Sequence, residues 1–176
     1  MTKARISRGV FAAITMLTAI SASSGENAGR KTGTVTGLPV PRFVSLKASE
    51  VNARVGPGAE YRIAWVFKRA GLPVEVLAEY ETWRQVRDSE GGTGWIAAAL
   101  LSARRTAVVA PWAKQGGALP LLASRRGTSE AARIEPGAIV DILSCDGETC
   151  EVYAGNRKGW LPQKNLWGVY PGEAVK

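Results

Sequence analysis

The chain repeats itself. Gly71-Leu-Pro-Val-Glu-Val-Leu77 has the pattern of Gly137-Ala-Ile-Val-Asp-Ile-Leu143, and Gly94-Trp-Ile96 that of Gly159-Trp-Leu161. The spacing also agrees, with 23 residues from Gly71 to Gly94 and 22 from Gly137 to Gly159. Between these anchors Thr82-Trp-Arg-Gln-Val86 aligns with Thr149-Cys-Glu-Val-Tyr153 after one gap, which sets Cys150 in the place of Trp83. A unit of roughly 60 residues buries only about 60% of the surface its unfolded chain exposes. The two copies are therefore expected to pack on each other, with Trp167 and Tyr170 of the final segment placed to form the seam.

The runs inside each copy are short and rich in β-branched or aromatic residues: Ile63-Ala-Trp-Val-Phe67, Leu72 to Leu77, Trp83-Arg-Gln-Val-Arg87. Clusters of Gly, Pro, Asp and Ser separate them, which predicts an all-β fold of two tandem small barrels. In Leu72 to Leu77 the residues Leu72, Val74 and Val76 share one face, with Pro73 and Glu75 on the other. Trp95 and Trp160 are assigned to the core or its edge, and Ala97-Ala-Ala-Leu-Leu101 to a single 3₁₀ turn. Cys145 and Cys150, the only cysteines, flank the turn signal Asp146-Gly147. A disulfide staple across a hairpin fits that spacing; a redox pair usually shows Cys-x-x-Cys near a βα turn.

The N-terminus has Lys3, Arg5 and Arg8, then a mostly apolar run from Val10 to Ile20, then Ser21-Ala-Ser-Ser24. That order is the pattern of a secretory signal peptide over residues 1–24. The apolar run is too short for a spanning helix, which needs about 20 apolar residues. The expectation is a periplasmic or secreted protein with no stable membrane insertion once the signal is cleaved. Cleavage would lower the formal net charge from +8 to about +5. Nucleic acid is not expected as a partner of an exported protein. Residues 25–40, rich in Gly and Thr, read as a flexible leader.

The chain has no histidine. This removes Ser-His-Asp and Cys-His machinery and histidine-ligated metal sites. The acids Glu75, Glu79, Glu81, Asp88, Glu90, Asp141, Asp146, Glu148 and Glu151 form no recognisable pair or calcium loop. No catalytic residue, metal or cofactor is expected, and the chain is read as a non-enzyme.

In Asn52-Ala-Arg-Val-Gly-Pro-Gly58, Gly71-Leu-Pro-Val-Glu-Val76, Trp83-Arg-Gln-Val86, Gly94-Trp-Ile96 and Leu166-Trp-Gly-Val-Tyr-Pro-Gly-Glu173 the chain resembles the bacterial SH3-like (SH3b) family. The likeness is to its tandem exported form in Gram-negative bacteria. It implies SH3-like domains over 41–105 and, with a C-terminal tail, 106–173. It also implies a non-catalytic cell-envelope module that recognises peptidoglycan or an envelope protein, the alternative being a scaffolding subunit of the periplasm. The ligand-binding residues it points to are Arg54, Tyr61, Trp65 and Trp83. Aromatic faces stack on sugars or peptide side chains and arginine grips carboxylates, while Trp65 and Trp83 have a competing use in the core. The second copy departs from the pattern, with Leu121-Leu-Ala-Ser124 where Arg54-Val-Gly-Pro would recur.

Overall fold

The computed structural model describes residues 31–113 and 116–176; the predicted signal, 1–24, and the first part of the leader, 25–30, lie outside them. In chain order the strands are β1 (Lys31–Thr32), β2 (Pro39–Val40), β3 (Arg42–Leu46), β4 (Val51–Arg54), β5 (Ile63–Phe67), β6 (Pro73–Tyr80), β7 (Trp83–Arg87), β8 (Thr93–Ala97) and β9 (Leu101–Ser102). The second half follows with β10 (Thr106–Val109), β11 (Leu119–Leu122), β12 (Glu130–Ile134), β13 (Ile139–Asp146), β14 (Thr149–Ala154), β15 (Arg157–Pro162), β16 (Leu166–Trp167) and β17 (Ala174–Val175). The only helical turns among the described residues are 3₁₀, at Ala98–Leu100 and Gln163–Asn165.

Both halves have one topology. The first sheet runs β5-β4-β8-β7-β6-β3-β9 and the second β12-β11-β15-β14-β13-β10-β16, with β17 added to β13. Each sheet closes over its own apolar core. Val51, Ala53, Val74, Val76, Val86 and Ile96 fill the first, and Val109, Leu121, Val140, Val152 and Leu161 the second. The repeated glycines are places where two strands cross too closely for a side chain. A Cβ on Gly94 would lie 3.1 Å from the Ala53 Cβ, and one on Gly159 would lie 2.8 Å from the Leu122 carbonyl oxygen.

The register corrects the internal alignment by one position. Val86 faces Gly94 and Arg84 faces Ile96, just as Val152 faces Gly159 and Cys150 faces Leu161. Cys150 is thus the counterpart of Arg84, and Thr149 that of Trp83. Trp95 and Trp160 are corrected too: they are half-buried and alternate with the fully buried Ile96 and Leu161, so they lie on the outer face.

The described part of the predicted leader carries regular structure. Residues 31–40 form the β1–β2 hairpin, and Glu79 holds its turn. The Glu79 carboxylate accepts hydrogen bonds from the Val35 and Thr36 backbone N–H (2.9 and 2.8 Å), the Thr36 hydroxyl (2.6 Å) and Arg42 (2.7 Å). Burial alone would raise its pKa, but these bonds outweigh it and hold the value at about 2. Among the described residues no helix is long and apolar enough to cross a membrane.

The two sheets meet on the face of β6 that strand alternation assigns to solvent. Glu75 is only 2% exposed because the second half covers it. The Tyr170 hydroxyl donates to its Oε1 at 2.8 Å, and Phe43 of β3 packs on Trp167 and Tyr170 with ring centroids 5.3 and 4.8 Å away. Thr106 completes the seam, its hydroxyl donating to the Gly71 carbonyl at 2.7 Å.

Candidate functional site

Arg54 ends β4 and Tyr61 precedes β5, so the Gly56-Pro57-Gly58 loop brings them together. The Arg54 guanidinium donates to the Tyr61 carbonyl at 2.6 Å, and the Tyr61 ring lies over Gly56, where a Cβ would strike it. Tyr61, Val55 and Ile63 leave an exposed apolar tip on this hairpin. Trp65 goes elsewhere. Its ring packs against the first core beside Ala53 and Gly94 and meets Phe67 edge-on at 6.0 Å, so it is a core wall. Trp83 is half-buried on the outer face of β7, opposite Tyr80 and Ala97. Trp95 lies between Arg54 and Gln85 and pairs with both, Gln85 being two residues along β7 from Trp83. Of the four predicted residues, then, the structure joins Arg54 to Tyr61, sets Trp83 on the same outer face and turns Trp65 inward.

Cys145 and Cys150 form a disulfide and oppose each other directly across β13 and β14. Both are buried in the second core.

A second concave feature lies at the seam, a cavity of about 640 Å³. Phe43, Glu75 and Arg87 line it from the first half, and Trp112, Trp167 and Tyr170 are its aromatic walls from the second. The tail carrying Trp167 and Tyr170 is tied down from both sides. Arg105 grips both oxygens of Glu173 (2.9 and 3.1 Å) and the Gly168 carbonyl, while Glu173 accepts the Tyr170 N–H at 2.9 Å. The buried Gln163 amide donates to the Glu173 carbonyl and accepts from the Gly172 N–H. At the mouth Trp112 is 60% exposed. Two residues before it is Ala110, whose φ of 36° is a left-handed backbone that alanine rarely adopts; the turn is closed by the Ala113 N–H bonding to the Ala110 carbonyl at 2.9 Å.

Sequence reasoning named Trp167 and Tyr170 as seam residues but missed the cavity. Trp112 was the available signal, a tryptophan outside the repeated pattern. Phe43 and Glu75 carried none, since each reads as an ordinary strand position.

The buried Glu75 and Glu79 and the half-buried Glu173 are each engaged by arginine. Glu75 accepts from Arg87 Nε (2.9 Å) and Nη2 as well as from Tyr170. Glu79 lies between Arg42 and Arg84, and Glu173 is held by Arg105. Among the described residues no group of three or more Cys, Asp and Glu side chains could hold a metal ion.

The family model of the bacterial SH3 domain matches residues 47–103. No curated protein matches the chain in sequence. Two solved structures from Trichomonas vaginalis resemble it. NlpC2 is 14% identical with a TM-score of 0.34, covering 74% of this chain and 48% of its own. NlpC1 is 16% identical with a TM-score of 0.31, covering 77% and 48%. This chain spans about half the length of each.

Proposed function

Because residues 47–103 are a bacterial SH3 domain and the second half repeats its topology, we propose that the protein is a non-catalytic binding module of the cell envelope that recognises peptidoglycan. The observation that carries this reading is the aromatic cavity between the halves. Ligand sites are concave, largely apolar, about 300 to 1,000 Å³ in volume and common at domain interfaces, and the cavity has all four properties. The engagement of Glu75, Glu79 and Glu173 in ion pairs with arginines supports binding over catalysis, since it leaves none of them free to meet a reacting group. The export signal expected over residues 1–24 would place the protein in the periplasm or outside the cell, where the wall is its neighbour.

A second reading, docking to an envelope protein as a scaffolding subunit, is favoured by the exposed Val55, Tyr61 and Ile63 at the hairpin tip beside Arg54. Exposed apolar clusters rimmed by charge mark protein contacts. Co-sedimentation of the purified protein with isolated peptidoglycan at low salt separates the two. Sedimentation is expected; its absence, together with capture of one stoichiometric envelope protein that Tyr61→Ala abolishes, would replace the first reading with the second.

A further inference from the structure

The seam cavity is electrically neutral on a basic protein. Among the described residues the charged ones that line it are Glu75, Arg87, Glu148 and Lys164, two acids and two bases, whereas the whole chain carries +8. A site for an anion would use that excess; this one cancels it. Arg87 is bound to Glu75, and the Gln163 N–H donates to the Glu148 carbonyl at 2.8 Å, which ties the segment carrying Lys164 to the turn carrying Glu148.

The walls are aromatic: Phe43, Trp112, Trp167 and Tyr170 all line the cavity, Trp112 largely exposed and Phe43 buried. Flat aromatic faces of this kind suit the C–H faces of a pyranose ring, and the apolar lining suits the methyl group of an acetamide. Hydroxyl and amide groups would find both kinds of partner. Among the described residues Arg87 Nη1 has no acceptor, and the side chains of Lys164 and Glu148 make no hydrogen bond or ion pair. Ala110, two residues before Trp112, has a left-handed backbone, and such strain persists where the surrounding structure fixes it, often at ligand sites.

We propose that the seam cavity binds an uncharged oligosaccharide of N-acetylated amino sugars, stacked on Trp112, in preference to the charged peptides of the wall. This rests on the wall-binding reading and names the part of the wall recognised. It also makes binding a property of both halves together, since Phe43, Glu75 and Arg87 belong to one and Trp112, Trp167 and Tyr170 to the other.

The test is titration of the purified protein with a tetramer of N-acetylglucosamine, followed by tryptophan fluorescence, beside a free wall peptide and peptidoglycan co-sedimentation. Saturable binding of the sugar is expected, with no binding of the peptide. Trp112→Ala, at an exposed position where folding is not at stake, should weaken it about tenfold, as loss of one stacking face implies. Arg87→Gln should also weaken it, with unfolding curves run to separate lost binding from lost seam. Sedimentation with the wall but no response to the sugar would overturn the inference and leave the wall-binding reading standing. Sugar binding without sedimentation would do the reverse. Sugar binding unchanged in Trp112→Ala would also overturn it.

Discussion

Glu79 and Arg84 face each other across β6 and β7, their charged groups 3.5 Å apart, at the positions that Cys145 and Cys150 occupy across β13 and β14. One fold thus closes the same end of its long hairpin by an ion pair in one copy and by a covalent bond in the other. Each closed end also receives an added segment: the β1–β2 hairpin on Glu79, and β17 against Cys145 and Asp146. The ionic version is sensitive to pH and the covalent one is not.

The pH dependence follows from Glu79. Its pKa falls from 4.5 to about 2 on folding, so the stability it contributes is fully present above about 4.5 and is lost as pH falls towards 2. The wild type should exceed Glu79→Gln in urea midpoint at pH 6, and the gap should narrow between pH 4.5 and 2. A gap that does not change with pH would mean that the carboxylate does not hold the hairpin.

The equivalence of the two closures predicts that Glu79→Cys with Arg84→Cys forms a disulfide spontaneously under oxidising conditions. Mass measurement before and after reduction detects it. The same variant should lose the anchor for Val35 and Thr36, so proteolysis within residues 31–40 should speed up even as the hairpin end is locked.

Replacing Cys145 and Cys150 by serine should cost about 2 kcal/mol, the chain-entropy value for so short a loop. Because both sulfurs lie in the second core, the loss should appear in that half, read as faster amide exchange in β13 and β14 with β6 and β7 unchanged.

Gly159→Ala should destabilise by roughly 1 to 3 kcal/mol, as forced overpacking does, and Gly94→Ala by less. A Cβ on the first would lie 2.5 Å from Leu121 Cγ and 2.8 Å from the Leu122 carbonyl oxygen, one on the second 3.1 Å from the Ala53 Cβ and 3.3 Å from the Arg54 carbonyl oxygen. Equal effects would argue that the strands move apart freely.

The repeat, the all-β class and the seam residues Trp167 and Tyr170 were legible because they rest on local chemistry: glycines at fixed intervals, alternating apolar positions, and aromatics in the final segment. The outward turn of Trp95 and the burial of Glu75 were not. Strand alternation says which residues share a face, but only the packing of the second half says whether that face meets water. The fate of Trp65 was hidden for a related reason, since Gly94, 29 residues further on, leaves the space its ring enters. The place of Cys150 was lost to a one-residue gap, because short strands tolerate a slipped alignment that the pairing register does not.

The most direct measurement is chemical-shift mapping of the isotope-labelled protein with solubilised peptidoglycan fragments. The account predicts that the Trp112 indole N–H and the backbone amides of Gly147, Glu148 and the 163–172 segment shift together and saturate together. Shifts confined to the Arg54–Tyr61 hairpin, or none at saturating fragment, would contradict a binding site at the seam.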